Sequence, residues 1–373
     1  DGSLGFTRAY RVSKIGDEAI ALGITALDRT MDQRVSEKGH LGQALQACTS
    51  TGSRSRGRFT MPLRIRLNRR ALLNLQDELI LLGSRQKGLA PSSALAPLDI
   101  ELAKLSEVER RRKLARYQTH LALLLSLVPA GSKQQGNWIS QRYVQSPSGR
   151  WYGHRNSVAL QNFPREIRNA AFSGNYLIDI DCCHWALLSQ MAKRLGKELP
   201  LIDSMLNDKN TFRWSLAIDI GSTERAVKEG LISLLFGASL ASPLSSLRRI
   251  FNDDQIALFR TNEEVLVISE EIKTTRKEVV ESYRLNSAKY GWLVNDLGKG
   301  APASSMDPKQ SLAFILQGAE SQILSSIGSR WGRSMRLLLH DGFVSSRDLD
   351  CAEISDNVLR ETGWQVTLSS ESL

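Results

Sequence analysis

Apolar residues recur at helical spacing along much of the chain. Intervals of three and four positions between apolar side chains predict a helix wherever they persist over several turns. The predicted helices are residues 69–84, 99–128, 184–195, 222–236 and 311–330. Mixed helical material continues from the fourth of these to about residue 307. Most of the chain is therefore expected to be helical.

Shorter apolar runs and alternating patterns predict strands. Residues 137–153 are expected to form a β-hairpin, because two arms rich in Trp and Tyr flank a turn at residues 146–149. Further strands are predicted at residues 175–181, 335–339 and 364–368. In the first of these, NYLIDID, alternate side chains are expected to point to opposite faces.

Three aspartates stand at the ends of two predicted strands. Asp179 and Asp181 share one face of the strand at 175–181, and Asp341 follows the strand at 335–339. Carboxylates grouped in this way are costly to bury unless positive charge lies between them. Metal ions held by carboxylates of adjacent strands are used to transfer phosphoryl groups. Aspartates at strand ends also cap turns, so spacing alone leaves both interpretations open.

The chain is basic. Its 373 residues include 49 lysines and arginines against 39 acidic residues, a formal net charge of +10. Positive charge favours polyanionic partners such as nucleic acid, although many basic proteins bind none. Two basic clusters could follow a phosphate backbone or could be solvated surface. They comprise Arg54, Arg56, Arg58, Arg64, Arg66, Arg69 and Arg70, and Arg110, Arg111, Arg112, Lys113 and Arg116.

Other classes of protein are disfavoured by the composition. The four cysteines, Cys48, Cys182, Cys183 and Cys351, have neither zinc-site spacing nor the density of a disulfide framework. No apolar run is long enough to span a membrane, and the first residues show no signal-peptide pattern. We therefore expect a cytoplasmic, nucleoid-associated protein without a membrane partner.

A run of short motifs precedes the predicted strand that ends at Asp181. In order they are Gly149-Arg150, the LQNFP of residues 160–164, Ile167-Arg168 and Ala171-Phe172. This order is similar to the run before the first catalytic motif of family A DNA polymerases. The resemblance implies that Asp181 is the metal-binding aspartate of that motif.

Two further segments continue the resemblance. Lys228 and Phe236-Gly237 lie about two turns apart on one predicted helix, and hence on one side of it. The family places a lysine there to grip the incoming triphosphate and an aromatic followed by glycine against the nascent base pair. Gln317-Gly318 and His340-Asp341 then follow in the family's order. The resemblance covers residues 149–345, about half the chain.

Several positions depart from the DNA polymerase pattern. Ala186 stands where those enzymes carry a glutamate that crowds the sugar 2′ position, and Gly342 follows Asp341 in place of an acidic residue. Both features resemble the phage-type single-subunit RNA polymerases. Arg225 lies one residue closer to the motif lysine than is usual in the family. The resemblance assigns no role to His184.

The resemblance implies an α+β fold arranged like a right hand, with a palm sheet, helical fingers and a helical thumb. The expected regions are an N-terminal extension and basic linker at 1–68, a thumb at 69–136, the palm at 137–204 and 308–373, and fingers at 205–307. We do not expect a proofreading exonuclease, because only about 70 residues precede the thumb.

Roles follow for individual side chains. Asp181 and Asp341 would bind two Mg²⁺ ions, for which Mn²⁺ can substitute, and Asp179 shares a strand face with Asp181 as a candidate third ligand. Lys228 would act in catalysis by neutralising the triphosphate. The expected nucleotide-binding residues are Lys228, Phe236, Gly237, Ala186 and Arg225. Those expected to hold the primer and template are Arg150, Arg168, Gln161, Asn162, Gln317 and His340.

These expectations give one functional hypothesis and two alternatives. The chain is expected to be a template-directed nucleotidyltransferase that tolerates ribonucleotides, as a primase-polymerase would. Its partners would be a DNA template and primer, NTPs or dNTPs, and replication proteins such as a helicase and a single-strand-binding protein. The alternatives are a reduced DNA polymerase of a phage or mobile element and a non-catalytic nucleic acid binder on a polymerase fold.

Overall fold

The computed structural model describes residues 60–84, 95–103, 105–128, 137–154, 158–242, 244–286 and 291–373. All of them belong to one unit of the chain, Leu41–Leu373. Cys48, Arg54, Arg56 and Arg58, together with most of the predicted N-terminal extension, lie outside the described residues.

The described residues form nine strands and twelve α-helices. The strands are β1 Thr60–Arg66, β2 Trp138–Gln145, β3 Trp151–Gly153, β4 Tyr176–Ile180, β5 Trp292–Val294, β6 Gly300–Pro302, β7 Met335–Leu338, β8 Gly342–Ser345 and β9 Leu368–Ser372. The helices are α1 Arg69–Ser84, α2 Ala96–Ala103, α3 Glu107–Leu127, α4 Arg165–Ala171, α5 Cys183–Arg194, α6 Pro200–Asn207, α7 Lys209–Asp219, α8 Glu224–Leu235, α9 Asp253–Thr261, α10 Glu263–Leu285, α11 Pro308–Trp331 and α12 Cys351–Thr362.

A four-stranded antiparallel sheet carries the aspartates. Its strand order is β7-β8-β4-β9. The predicted alternation along β4 is confirmed, because Ile178 and Ile180 are buried in the core whereas Leu177 and Asp179 are only partly buried. Strand β8 places Gly342 directly opposite Asp179. The sequence analysis missed β8, which turns back on β7 immediately after Asp341.

A second sheet, of order β1-β2-β3, confirms the predicted hairpin. Its turn closes where the Ser146 N–H donates to the Arg150 carbonyl at 2.8 Å, and Gly149 adopts the positive φ of 99° that glycine tolerates. Within residues 1–68, the predicted extension and linker, Thr60–Arg66 forms strand β1 and is paired along its length with β2.

Two further predicted boundaries were wrong. The single helix expected at 99–128 is broken into α2 and α3, because Ser106 caps α3. Its hydroxyl accepts from the Glu109 N–H at 3.4 Å, and the Glu109 carboxylate accepts from the Ser106 N–H at 3.1 Å. The final strand begins at Leu368, where pairing with Ile180 starts, and not at Trp364.

The region predicted as mixed helical material contains a small two-stranded sheet, β5-β6, as well as helices. The other predicted helices agree with α1, α5, α8 and α11 to within a few residues. Within the described ranges, no helix combines the length and the apolarity that crossing a bilayer requires.

Candidate active site

A cleft of about 1390 Å³ lies over the aspartate end of the four-stranded sheet. Asp179, Asp181, His340 and Asp341 line it. One wall comes from α2 and α3 and includes Glu101, Arg112, Lys113, Arg116 and Tyr117. The facing wall comes from α7 and α8 and includes Lys209, Arg213, Arg225, Lys228 and Phe236. The structure thus brings the predicted carboxylates, Lys228 and Phe236 to one cavity.

The adjacent ends of β4 and β8 hold the carboxylates together. The Ile180 N–H donates to the Asp341 carbonyl at 2.8 Å. A side chain at Gly342 would meet the β4 backbone and would place its Cβ 3.0 Å from Asp179 Oδ1. Glycine is therefore needed at 342 so that Asp179 can lie beside Asp341. The Asp179 carboxylate therefore lies close to the position that the Cβ of an acidic residue at 342 would occupy.

Like charges are concentrated at this point. Burial raises the pKa of Asp179 to about 7, and the negative charges of Asp341 and Asp181 act in the same direction. The cations Lys228 and Lys209 oppose this rise in the pKa. A group of partly buried carboxylates of this kind favours the binding of positive charge.

Asp181 already has a cationic partner from α7. Lys209 Nζ lies 2.7 Å from Asp181 Oδ1, and the Ser369 hydroxyl approaches the same oxygen at 3.3 Å. The next residue, Cys182, has a φ of 49° and precedes α5. Arg213, one turn beyond Lys209, donates to Cys182 Sγ at 3.1 Å. Helix α7 therefore contacts both residues of the turn that orients Asp181.

The donor set suits a divalent cation that is completed by substrate. Among the described residues, no group of three or more His, Cys, Asp or Glu side chains is arranged to hold a metal ion by itself. Mg²⁺ is usually bound by one or two carboxylates together with substrate phosphates, not by a cage of protein ligands. Asp181 and Asp341, with Asp179 behind them, fit that form of site.

Helix α8 presents its predicted pair to the cleft. Lys228 is exposed there, and Phe236 follows the helix on the same side. Gly237 has a φ of 90°, and Lys309 Nζ donates to its carbonyl at 2.5 Å. Arg225 does not pair with the three aspartates. It pairs with Glu229 at 3.1 Å and with Glu101 of the opposite wall at 3.5 Å.

A buried ion cluster lies beneath Phe236. Arg150 Nε donates to Glu320 Oε1 at 2.7 Å, and His184 Nε2 lies 2.8 Å from Glu320 Oε2. Burial would raise the pKa of Glu320, but the charges of His184 and Arg150 reverse the balance and lower it. The His184 ring meets Phe236 edge-on, with the ring centroids 5.2 Å apart. His184, which the resemblance left without a role, thus connects the cluster to the cleft wall.

His340 is held as a neutral ring at the base of the cleft. Burial lowers its pKa to about 4, and the neighbouring Arg150 acts in the same direction. Its ring packs 5.0 Å from that of Tyr152, and its buried Nδ1 has no hydrogen-bond partner within the described part of the chain.

The other predicted nucleic acid contacts are distributed differently. Asn162 lines the cleft. Arg168 lies close enough to Asp341 for that charge to oppose the lowering of its pKa by burial. Gln161 is buried. Its Nε2 donates to the Trp151 carbonyl at 3.1 Å, and its Oε1 accepts from the Gly153 N–H at 3.0 Å. Its observed contacts are therefore structural.

Three more residues singled out in the sequence, Gln317, Gly318 and Ala186, do not line the cleft. Gln317 accepts from the Ser148 hydroxyl at 2.8 Å, and Gly318 makes room for the Asn295 side chain, which donates to the Ser148 carbonyl at 2.9 Å. This pair therefore joins α11 to the hairpin turn. Ala186, on the first turns of α5, is partly buried and lies outside the cleft lining.

Sequence reasoning assigned no role to four residues of the site. Glu320 lies three positions after Gln317, and an acidic residue inside an apolar helix was the signal that could have revealed it. His184 was singled out three positions after Asp181 but was left without a role. Lys209 and Arg213 gave no signal, because only the packing of α7 brings them to the carboxylates.

Comparison with known proteins supports the fold. No protein-family model and no curated protein matches the chain. Among solved structures, the POL domain of Pol1 from M. smegmatis, in complex with DNA primer-template and dNTP, matches with a TM-score of 0.52 and 14% sequence identity. The match covers 93% of this chain and 72% of that chain. The chain therefore has the fold of a DNA polymerase I-like polymerase domain, while the predicted right-hand subdivision stays a prediction.

Proposed function

We propose that this protein is a template-directed nucleotidyltransferase that joins nucleoside triphosphates to a nucleic acid chain. The observation that carries the proposal is the group formed by Asp179, Asp181 and Asp341 on the floor of a cleft whose facing walls carry cations. A fold shared with a DNA polymerase domain supports the same reaction class.

The proposed substrates are a DNA primer-template and an NTP or dNTP. The M. smegmatis domain was solved with DNA primer-template and dNTP, and the α3 wall here offers Arg112, Lys113 and Arg116 to a phosphate backbone. Lys228 and Phe236 would receive the triphosphate and the base on the other wall. Neutral His340 would accept a hydrogen bond near the primer end.

The reaction would be an in-line displacement at phosphorus. The 3′-hydroxyl oxygen of the primer forms a bond to the α-phosphorus, the bond to the bridging oxygen breaks, and pyrophosphate leaves with its electron pair. The hydroxyl proton passes to solvent. Mg²⁺ held by Asp181 and Asp341 would supply charge stabilisation for the attacking and leaving oxygens. The chain's own part is to position the substrates and to neutralise the triphosphate with Lys228.

Lys228→Ala is expected to raise KM for the nucleotide by about tenfold to a hundredfold, because a charged hydrogen bond to phosphate is lost. Template affinity should change little. Steady-state kinetics and the anisotropy of labelled DNA measure the two effects. Lys273→Ala is the matched control, since Lys273 is exposed and pairs with Glu270 at 3.2 Å. An unchanged nucleotide KM in Lys228→Ala contradicts the assignment.

Ribonucleotide use is the second property we propose. Ala186 ends at Cβ, so it cannot crowd a 2′-hydroxyl, and the parent protein is expected to use NTPs within about a hundredfold of dNTPs in kcat/KM. Ala186→Glu should shift the ratio toward dNTPs, and Ala186→Ser serves as the control. Discrimination by the parent above about a thousandfold would place the steric wall elsewhere. Phe236, held by His184 at the cleft, is then the residue to replace.

One assay separates the proposed enzyme from its alternatives. Labelled NTPs and dNTPs are offered with single-stranded DNA, with and without a primer, and with and without Mg²⁺ or Mn²⁺. Metal-dependent incorporation of both sugars supports a primase-polymerase, and incorporation of dNTPs alone supports a reduced DNA polymerase. DNA binding without incorporation would show a non-catalytic binder and overturn the proposal.

A further inference from the structure

A second cavity, of about 480 Å³, lies at the end of the four-stranded sheet opposite the carboxylates. Asn175 precedes β4 and Ser346 follows β8, and both line it. Asp181 lies beyond the other end of β4, roughly 20 Å away at the rise of an extended strand. The cavity is therefore separate from the catalytic cleft.

Two arginines line this cavity without an acidic partner. Arg66 and Arg336 are its cations, and no Asp or Glu is among the described residues that line it. Arg336 is half-buried and donates to backbone carbonyls, those of Arg333 at 3.0 Å and Met335 at 3.2 Å. Burial lowers the pKa of Arg336, and no carboxylate opposes that effect. Positive charge that is partly desolvated and unpaired favours an anion.

The other lining groups suit a nucleobase. The Trp138 ring is 40% exposed, and Trp138 is the register partner of Arg66 across β1 and β2, so their side chains share a face. Asn137 also lines the cavity, and its side-chain amide has the donor and acceptor that a base edge requires. Aromatic rings stack on bases of any sequence, and arginines hold the phosphates between them.

We propose that this cavity binds a nucleotide unit of single-stranded nucleic acid, with the base against Trp138 and the phosphate between Arg66 and Arg336. The site would hold a strand about 20 Å from the catalytic cleft and would not depend on catalysis. The same chemistry would accept a free nucleotide, so the test must distinguish a strand from a mononucleotide.

The test measures binding of a fluorescent single-stranded oligonucleotide of about 12 nucleotides by anisotropy. Arg66→Ala/Arg336→Ala is expected to weaken binding at least tenfold and to lower the salt slope by about 0.7, for the one phosphate that the two arginines would hold. Trp138→Ala should weaken it by about tenfold. Each variant is also measured with Arg112→Ala/Arg116→Ala, which lowers binding by the catalytic cleft.

The matched control is Arg333→Ala/Arg347→Ala, which removes two exposed arginines near the cavity that do not line it. This control should keep parental affinity apart from a small general charge effect. Arg66→Ala alone is included because Arg66 is exposed and its side chain makes no hydrogen bond or ion pair to another described residue, so we expect its loss to leave folding unaffected. Equal affinity in the parent and in both Arg66 variants would overturn the proposal. Competition by dTMP at concentrations that match the oligonucleotide would overturn it in favour of a mononucleotide site.

Discussion

Asp181→Asn and Asp341→Asn are each expected to lower nucleotide incorporation by about a thousandfold, because several kcal/mol of charge stabilisation in the transition state are lost. Asparagine keeps the shape of the side chain and removes only its charge. Single-turnover incorporation on a primed template measures the effect. Thermal unfolding and DNA affinity, measured in parallel, should stay near the values of the parent.

Asp348→Asn is the matched control for this series. Asp348 is exposed, accepts from the Ser370 hydroxyl at 2.9 Å and does not line the cleft, so its variant should keep full activity.

Asp179→Asn tests the third carboxylate and should lower activity while raising the Mg²⁺ concentration required. Full activity with unchanged Mg²⁺ dependence would remove Asp179 from the metal site. Near-parental incorporation by a folded Asp181 or Asp341 variant would end the two-metal assignment.

Glu320→Ala is expected to destabilise the protein by about 3–5 kcal/mol, because it removes the carboxylate partner of the buried Arg150 guanidinium and of the His184 ring. The Glu320 side chain is fully buried, and those of Arg150 and His184 are only 12% and 9% exposed. Urea denaturation measures the loss as a lower midpoint. Folded Glu320→Ala should also have a higher nucleotide KM, since His184 no longer fixes the Phe236 ring.

Glu353→Ala provides the comparison for Glu320→Ala. Glu353 pairs with Arg330, and both side chains are about half exposed, at 49% and 46%. Exposed ion pairs contribute less than about 1 kcal/mol, so this variant should be nearly as stable as the parent. Equal destabilisation by the two variants would show that the Glu320 cluster has no special role in stability.

Local patterns in the sequence predicted much of what positions the site. The alternation in NYLIDID placed Asp179 and Asp181 on one face, and the motif order brought Asp341 and Lys228 to the same cleft. The break before Ser106 was missed because apolar periodicity continued across it, although the Ser106 to Glu109 capping pair was readable. The capping pair is a specific but short signal, and the apolar periodicity of residues 99–128 is longer but less specific. The prediction followed the periodicity and therefore missed the break.

Contacts between distant segments could not be predicted in this way. Lys209 meets Asp181 only because α7 packs beside the end of β4, and neither residue is marked by its neighbours in sequence. Gln161 shows the converse: its motif suggested a contact with nucleic acid, whereas its amide bonds the Trp151 carbonyl and the Gly153 N–H. A motif gives residue types and order, and packing decides which groups remain available to a ligand.

The backbone conformation of Cys182 connects the orientation of the Asp181 side chain to helix α7. Among the described residues, Cys182 alone has a positive φ without being glycine, a conformation that costs about 1–2 kcal/mol. Glycine at position 182 would avoid that cost. It would also lower the stability of the fold by about 0.5–1 kcal/mol, because glycine loses more conformational entropy on folding. Stability alone therefore favours neither cysteine nor glycine strongly at this position. The thiol contact with Arg213 distinguishes cysteine. A shift of α7 would therefore be expected to change the orientation of the Asp181 carboxylate, because Lys209 and Arg213 move with the helix.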